Sequence, residues 1–227
     1  MNITAQLHTA IEAALKAGER ILDIYHNEDF DVDFKSDDSP LTKADTASHH
    51  IIMSYLEKTG IPVLSEEGKG IVYETRKDWE YLWIVDPIDG TKGFLRSEQY
   101  AVALALIEGD RIILGALGCP NLPTSGEMNG NGGPGVLLVA ALDQGTRLYP
   151  LEDGGDAGNA AGDTRGVSVR VNEEANLSMA RFCESVESAH SNQDHAARIA
   201  GRDCVSHGYP GWLSTTRWAG GESSACS

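Results

Sequence analysis

Two helix-type repeats of apolar residues come first in this chain, and short β-type runs follow them. Between residues 3 and 25 apolar side chains recur at three-, four- and seven-residue steps, apart from one six-residue step around Gly18. This spacing predicts an amphipathic helix. Thr42 is a suitable N-terminal cap for a second helix. The predicted buried stripe of that second helix comprises Ala44, Ala47, Ile51, Tyr55 and Leu56.

Turn-forming residues separate the β-type runs. These runs cover residues 61–64, 81–85, 100–107, 111–117, 136–140, 146–149 and 167–171. Glu108, Gly109 and Asp110 form a good hairpin turn between two of them. The glycine-rich stretches at residues 124–135 and 152–166 have little to bury and are predicted to be loops. Helices followed by strands indicate an α+β fold built in layers, an α/β sandwich, rather than alternating βαβ units.

The formal net charge of −16 limits the partners of this chain. Nucleic acid polymers and anionic membranes bind clustered Lys and Arg, so neither is an expected partner. A small phosphorylated substrate stays compatible if divalent cations lie between the protein carboxylates and the phosphate. No apolar run reaches the roughly 18 residues of a membrane span. We predict a cytoplasmic protein and leave its oligomeric state open.

Several other kinds of site find no support in the sequence. The four cysteines form no C-x-x-C pair, which argues against a zinc cage and against a disulfide framework. His49 and His50 are adjacent on a predicted helix and therefore face different directions, so a two-histidine metal site is not expected. The sequence contains neither the P-loop motif nor the G-x-S-x-G elbow of serine hydrolases.

Acidic residues cluster where predicted strands end or a predicted helix begins. The clusters are Asp45, the pair Glu66 and Glu67, and the pair Asp86 and Asp89. Carboxylates are hard oxygen ligands that suit magnesium, and a strand end holds them rigidly. Taken alone, Asp45 is more often a helix cap and the glutamate pair more often a solvated turn. Two aspartates around a proline, directly after a buried apolar run, are more specific.

The D-P-I-D-G-T segment at residues 86–91 predicts a metal site. Its proline restricts the backbone between Asp86 and Asp89, so that both carboxylates and the Ile88 carbonyl can converge on one point. One metal ion, or two ions that share Asp86, would fit there. Such an ion lowers the pKa of bound water by several units from about 15.7, which is the largest effect expected of the site.

A phosphate site is predicted directly after the metal site. If a helix begins here, the backbone amides of Gly90 and Thr91 are unpaired and can bind a phosphate oxygen. The Thr91 hydroxyl can hold an attacking water molecule, and a nearby carboxylate such as Asp45 can accept the proton from that hydroxyl. The sequence therefore indicates hydrolysis of a phosphate ester by a metal-activated water.

Three motifs resemble a known family in their residues, order and spacing. They are S-P-L-T-K-A-D at residues 39–45, L-S-E-E at residues 64–67 and W-I-V-D-P-I-D-G-T-K-G-F at residues 83–94. Together they resemble the lithium-sensitive inositol monophosphatase superfamily. The K-G-F-L-R stretch at residues 92–96 and G-C-P-N-L at residues 118–122 are similar to its 3′(2′),5′-bisphosphate nucleotidase branch.

The resemblance implies a site and a reaction. The implied magnesium ligands are Glu66, Asp86, the Ile88 carbonyl and Asp89. The implied catalytic residues are Asp45, Thr91 and Glu66, with Thr91 and Asp45 orienting the nucleophilic water. The implied substrate is adenosine 3′,5′-bisphosphate, with 3′-phosphoadenylyl sulfate as a second one, and inhibition by lithium is expected. The stretch F-C-E-S-V-E-S-A-H-S at residues 182–191 resembles the nucleotide-binding part of that branch, which makes Glu187 and His190 candidate substrate contacts.

The resemblance ends near Gly201. Members of the superfamily continue with a W-D-x-A-A-G motif, and the nearest stretch here, T-R-W-A-G-G at residues 216–221, has no aspartate. We therefore expect an N-terminal domain over residues 1–172 and an incomplete C-terminal α/β domain over residues 173–227. Our hypothesis is a truncated or frame-shifted gene, in which another reading frame beyond the Gly201 codon restores the motif.

Two alternatives stay open from the sequence. One is a phosphatase of the same superfamily that acts on inositol phosphates or fructose bisphosphate. The other is a catalytically impaired remnant that binds a metal or a nucleotide.

Overall fold

The computed structural model describes residues 1–27, 32–35, 40–123, 135–151 and 166–171. The helices in these parts are α1 (Ile3–His26), α2 (Lys43–Leu56), α3 (Tyr73–Arg76) and α4 (Thr91–Leu95), with a 3₁₀ turn at Glu57–Thr59. The strands are β1 (Val32–Phe34), β2 (Pro40–Thr42), β3 (Val63–Ser65), β4 (Tyr81–Asp89), β5 (Ala101–Glu108), β6 (Arg111–Cys119), β7 (Val136–Ala141), β8 (Gly145–Pro150) and β9 (Val167–Val169).

Seven of these strands form one mixed sheet in the order β3-β4-β5-β6-β7-β8-β9. Strands β3 and β4 are parallel, and every later neighbour in the sheet is antiparallel. Strands β1 and β2 make a separate two-stranded antiparallel ribbon. Helices α1 and α2 cover one face of the sheet, and the core between them contains Trp83, Val85, Leu104 and Leu106. The predicted layered α+β fold is confirmed.

Helix α1 follows from its sequence in the way predicted. The Asn2 side chain caps it by accepting a hydrogen bond of 3.2 Å from the Ala5 amide. Its apolar stripe, including Leu7, Ile11 and Ile21, is buried against the sheet and α2. The helix continues through His26, one residue beyond the predicted end.

The side chains that α2 buries in the core differ in part from the predicted ones. The side chains it buries are Ala44, Asp45, Ser48, Ile52 and Leu56. The predicted stripe was right for Ala44 and Leu56 but wrong for Ala47, Ile51 and Tyr55, which are only partly buried. The physical reason is that Asp45 and Ser48 are polar but hydrogen-bonded, so they can occupy buried positions that an apolar pattern assigns to other residues.

The strand predictions hold with small shifts in their ends. Strand β3 lies two residues later than its predicted start at residue 61, and β9 ends two residues before residue 171. The hairpin turn between β5 and β6 is confirmed, with Gly109 at a φ of 60°. Within the described ranges no helix is long and apolar enough to cross a membrane. Most of both predicted glycine-rich loops, the 172/173 domain boundary and the C-terminal tail lie outside the described residues.

Candidate metal and phosphate site

The D-P-I-D segment forms an irregular end to strand β4. Asp86 pairs with Ala103 of β5, but the next paired residue, Asp89, is opposite Ala101, so β4 carries one extra residue. Such a β-bulge re-aims the side chains of its strand. Proline has no amide hydrogen to give to a ladder, and Pro87 therefore fits inside the bulge. The local sequence thus places Asp86 and Asp89 on opposite sides of a bend that lies next to the helices.

Parallel pairing of β3 and β4 brings Glu66 beside Asp86. Ser65 is in register with Val85, and the Glu66 amide donates a hydrogen bond of 3.0 Å to the Val85 carbonyl. Glu66 follows the paired strand β3 and is therefore a neighbour of Asp86, and its carboxyl group contributes to the raised pKa of Asp86.

Asp86 is the electrostatic centre of this cluster. Burial raises its pKa to about 8, and the charge of Glu66, the hydrogen bond with Glu66 and the charge of Asp89 act in the same direction. The Ile88 amide opposes them by donating a hydrogen bond of 3.1 Å to Asp86 Oδ1. Burial and the neighbouring carboxylates therefore disfavour the ionised form of Asp86.

The donors of this cluster suit a hard divalent cation. Glu66, Asp86, Asp89 and the carbonyl of Ile88 would all supply oxygen ligands, the kind that Mg²⁺ takes. A bound cation would relieve the repulsion that now raises the pKa of Asp86. Among the described residues no three carboxylate, imidazole or thiol groups are already arranged as a metal-binding group.

The side chains of Thr91 and Asp45 are in contact beside the D-P-I-D bend. The Thr91 hydroxyl lies 3.1 Å from Asp45 Oδ1 and 3.2 Å from the Ile88 carbonyl oxygen. The other Asp45 oxygen, Oδ2, accepts hydrogen bonds of 2.7 Å from the Thr42 amide and 2.6 Å from the Thr42 hydroxyl. Burial raises the pKa of Asp45, while its hydrogen bonds with Thr42 and Thr91 act against that rise. Asp45 is thus both a capping residue and a partner of Thr91.

Helix α4 begins at Thr91, which meets the condition on which the phosphate site was predicted. Gly90 precedes it with a φ of 94°, a left-handed conformation that glycine adopts without strain. The Gly90 carbonyl accepts a hydrogen bond of 2.9 Å from the Phe94 amide. The phosphate-binding role of Gly90 and Thr91 stays a prediction. Glu187 and His190, the candidate substrate contacts, lie outside the described residues.

Two residues that hold the site together were missed by the sequence reasoning. Ser48 donates a hydrogen bond of 2.8 Å to the Pro87 carbonyl, and His49 Nδ1 lies 2.9 Å from Ser65 Oγ. Together with Asp45 they occupy positions i, i+3 and i+4 of α2, which share one helix face. This spacing is the sequence feature from which the roles of Ser48 and His49 could have been predicted. One face of α2 therefore contacts the three segments that carry Glu66, Asp86 and Thr91.

Ser48→Ala is expected to loosen the D-P-I-D bend. The Ser48 side chain is fully buried, so its loss leaves the Pro87 carbonyl without this hydrogen bond. We expect a stability loss of about 1–3 kcal/mol in urea unfolding and roughly threefold weaker Mn²⁺ binding by calorimetry. Ser54→Ala is the matched control, because Ser54 is exposed and bonds only to Ile51 of its own helix. Equal effects in both variants would contradict a positioning role.

The metal-free chain is expected to lose stability as the pH rises. The pKa of Asp86 is about 8 in the folded chain against 3.8 ordinarily, and the pKa values of Asp45 and Glu67 are also raised, chiefly by burial. Protonated carboxyls are favoured by folding, so their stabilisation is present at low pH and disappears as the pH passes through about 8. In EDTA, the urea midpoint should fall between pH 5.5 and 8.5, and Asp86→Asn should flatten this change. A midpoint that rises with pH would contradict the expectation.

The fold and the site define a layered α+β protein with an acidic centre, whose carboxylate oxygens are of the kind that suits a divalent cation. A model of the inositol monophosphatase family matches residues 4–209, so the chain belongs to that family. This confirms the resemblance seen in the sequence and extends it slightly beyond the predicted end at Gly201.

Individual relatives are named for a nucleotide reaction. The chain is 40% identical over 129 residues to a 3′(2′),5′-bisphosphate nucleotidase of Emericella nidulans, a match to 52% of this chain and 35% of that protein. It is 41% identical over 118 residues to the 3′(2′),5′-bisphosphate nucleotidase CysQ of Shigella flexneri, which covers 50% of this chain and 48% of that one. The chain therefore spans about a third to a half of the length of these relatives.

A solved structure of the same family supports the fold. CysQ from Bacteroides thetaiotaomicron superposes with a TM-score of 0.58 and 29% sequence identity, over 87% of this chain and 68% of that one. That protein is described as a bacterial member of the inositol monophosphatase family.

Proposed function

We propose that this chain is a magnesium-dependent phosphatase that removes the 3′-phosphate of adenosine 3′,5′-bisphosphate. The observation that carries the proposal is the adjacency of two chemical units. The first is the carboxylate cluster of Glu66, Asp86 and Asp89, and the second is the hydrogen-bonded pair of Thr91 and Asp45. Family membership supports phosphate ester hydrolysis, and the names of the relatives above favour a nucleoside bisphosphate.

Each residue has a task in this reaction. Glu66, Asp86, Asp89 and the Ile88 carbonyl would hold magnesium, which supplies a lowered water pKa and neutralises phosphate charge. Thr91 Oγ1 would accept a hydrogen bond from the attacking water while its own hydrogen points to Asp45 Oδ1, 3.1 Å away. As the water oxygen bonds to phosphorus, the water proton passes to Thr91 and the Thr91 proton to Asp45. The bond between phosphorus and the ribose 3′ oxygen breaks, and that oxygen takes a proton from solvent.

The surroundings of Asp45 fit the role of proton acceptor. Asp45 is 1% exposed, and burial raises its pKa above the ordinary value. A carboxylate with a raised pKa is a better proton acceptor than an exposed one. In the proposal, the amides of Gly90 and Thr91 bind a phosphate oxygen, and Glu187 and His190 contact the nucleotide.

A substrate panel tests the proposal. Phosphate release would be measured with malachite green in Mg²⁺, and in EDTA as a control. The substrates would be adenosine 3′,5′-bisphosphate, 3′-phosphoadenylyl sulfate, inositol monophosphate and fructose 1,6-bisphosphate. We expect the two adenosine compounds to be hydrolysed fastest and lithium to inhibit. Equal turnover of all four would contradict a nucleotidase, and no turnover of any would favour the remnant that only binds metal or nucleotide.

The proposal extends to the setting of the enzyme. We expect it to act in the cytoplasm, and the buried Cys119, which is a reduced thiol, is compatible with that setting. The missing aspartate at residues 216–221 makes the C-terminal region the part most different from the family pattern. Sequencing the genomic DNA beyond the Gly201 codon would test the frame-shift hypothesis, which fails if no frame restores W-D-x-A-A-G.

A further inference from the structure

Helix α4 is too short to hold its own position. It comprises five residues, Thr91–Leu95, and an isolated helix of that length is not stable in water. Its Phe94 is fully buried, with ring centroids 5.5 Å from Tyr25 and 5.1 Å from Tyr100. These aromatic contacts anchor the C-terminal half of the helix. The position of Thr91, its first residue, therefore depends on what else holds α4.

The chain turns back against α4 directly after the helix ends. We call residues 96–99 the return segment. The Glu98 amide of this segment donates a hydrogen bond of 2.8 Å to the Gly93 carbonyl of α4. A Cβ atom on Gly93 would lie 2.3 Å from the Gln99 carbonyl oxygen, so the approach requires glycine. Ser97 has a φ of 62°, a conformation that a non-glycine residue keeps only when its surroundings hold it.

Asn121 holds the return segment from another part of the fold. Its side-chain amide donates a hydrogen bond of 2.7 Å to the Glu98 carbonyl, and its own carbonyl accepts one of 2.8 Å from the Gln99 side chain. We call these two bonds the clasp. Asn121 lies in the turn after β6, which is closed by a hydrogen bond of 3.2 Å from the Leu122 amide to the Cys119 carbonyl. The clasp therefore ties the return segment to the end of a central strand of the sheet.

We propose that Asn121 is a positioning residue for Thr91 in the proposed reaction. Through the clasp it holds the return segment against Gly93 of α4. Thr91 belongs to the same short helix and thereby stays in place to bond Asp45 Oδ1 at 3.1 Å. The inference rests on the role that the proposed function gives to Thr91. Loss of the clasp lets α4 shift, and a displacement of about 1 Å in a catalytic site can cost roughly a hundredfold in rate.

Steady-state kinetics with adenosine 3′,5′-bisphosphate tests the inference. Asn121→Ala removes the side-chain bond to Glu98 and should lower kcat by roughly ten- to a hundredfold, with a smaller change in KM. Gly93→Ala should have the same effect, because the new methyl group pushes the return segment away. Asn27→Ala is the matched control, since its side-chain amide also donates a hydrogen bond of 2.7 Å to a backbone carbonyl, that of Asp23, but at the exposed end of α1. That variant should turn over like wild type.

A double-mutant cycle separates a positioning role from a merely structural one. In the Thr91→Val background the clasp has no hydroxyl left to position, so adding Asn121→Ala should lower kcat by less than about twofold. Urea midpoints give the same comparison without catalysis. Thr91→Val should lower the midpoint of wild type more than that of Asn121→Ala, because the bond between Thr91 and Asp45 is already weakened in the latter. Gln99→Met removes the other bond of the clasp and serves in place of Asn121→Ala if that variant does not fold.

The possible results distinguish the inference from the proposed function. A folded Asn121→Ala or Gln99→Met chain with the kcat of wild type overturns the inference and leaves the proposed function standing. Equal effects of Asn121→Ala with and without the Thr91 hydroxyl also overturn the inference. If wild type hydrolyses no phosphate ester, the proposed function fails, and the urea midpoints then decide alone: coupled midpoints support the control of Thr91 by Asn121, and additive midpoints overturn it.

Discussion

Asp86→Asn is expected to abolish turnover while making the metal-free chain more stable. Asparagine has the same shape and keeps an oxygen that can accept the hydrogen bond from the Ile88 amide. It removes the charge that burial and the neighbours Glu66 and Asp89 disfavour, so the urea midpoint in EDTA at pH 8.5 should rise. Loss of this proposed metal ligand should lower kcat/KM by roughly a thousandfold or more. Opposite changes in activity and stability are typical of a residue retained for function.

The measurement needs a control for charge alone. Asp110→Asn removes one aspartate from the exposed hairpin turn and should leave turnover and Mn²⁺ binding unchanged. Mn²⁺ affinity of Asp86→Asn should fall together with its activity. Turnover close to wild type in a folded Asp86→Asn chain would remove the basis of the metal hypothesis.

Thr91→Val is expected to lower kcat by a hundredfold to roughly ten-thousandfold, the range of general acid–base catalysis. Valine replaces the hydroxyl by a methyl group and so breaks the contacts of 3.1 Å with Asp45 and 3.2 Å with the Ile88 carbonyl. The proposed water then loses the group that orients it and the route by which its proton reaches Asp45. Mn²⁺ binding should be nearly unchanged, because the Thr91 hydroxyl belongs to no proposed metal ligand set.

Substitution of Thr91 separates an effect on activity from an effect on stability better than substitution of Asp45 does. Asp45 also accepts two hydrogen bonds from Thr42 at the start of α2, so its substitution would reduce activity and stability together. Thr91→Ser keeps the hydroxyl and should retain most of the turnover. Thr46→Val is an exposed control on α2. A rise in KM with an unchanged kcat would show that Thr91 only binds substrate, contrary to the proposal.

Local interactions explain why parts of the fold could be predicted. The cap and periodicity of α1 and the glycine of the β5–β6 turn depend on residues close in sequence. The buried face of α2 could not be predicted in this way. Ser48 is buried because it bonds to Pro87, which is 39 residues away. A pattern of apolar residues contains no information about a distant partner that satisfies a polar side chain.

The acidic site also has one part that could be predicted from adjacent residues and another that depends on residues distant in sequence. Asp86 and Asp89 flank a proline at the end of an apolar run, so their bend could be anticipated from adjacent residues. Their proximity to Glu66 depends on the parallel register of β3 and β4. Lys35 Nζ lies 2.8 Å from Glu66 Oε1 and 2.6 Å from Glu67 Oε1. These ion pairs depend on the β1–β2 ribbon, which no periodicity predicts to lie near β3.

The chemical types of the site residues could therefore be predicted from the sequence, but the electrostatic interactions among them could not. The motifs alone predicted which side chains would bind a cation and which hydroxyl would face the water, and they determined which family the chain resembles, because these depend on residue type and spacing. Only the packed molecule decided that burial and the neighbouring carboxylates raise the pKa of Asp86 and that Lys35 forms an ion pair with Glu66. The reason is that charge interactions depend on distance and burial, and both arise when remote segments pack together.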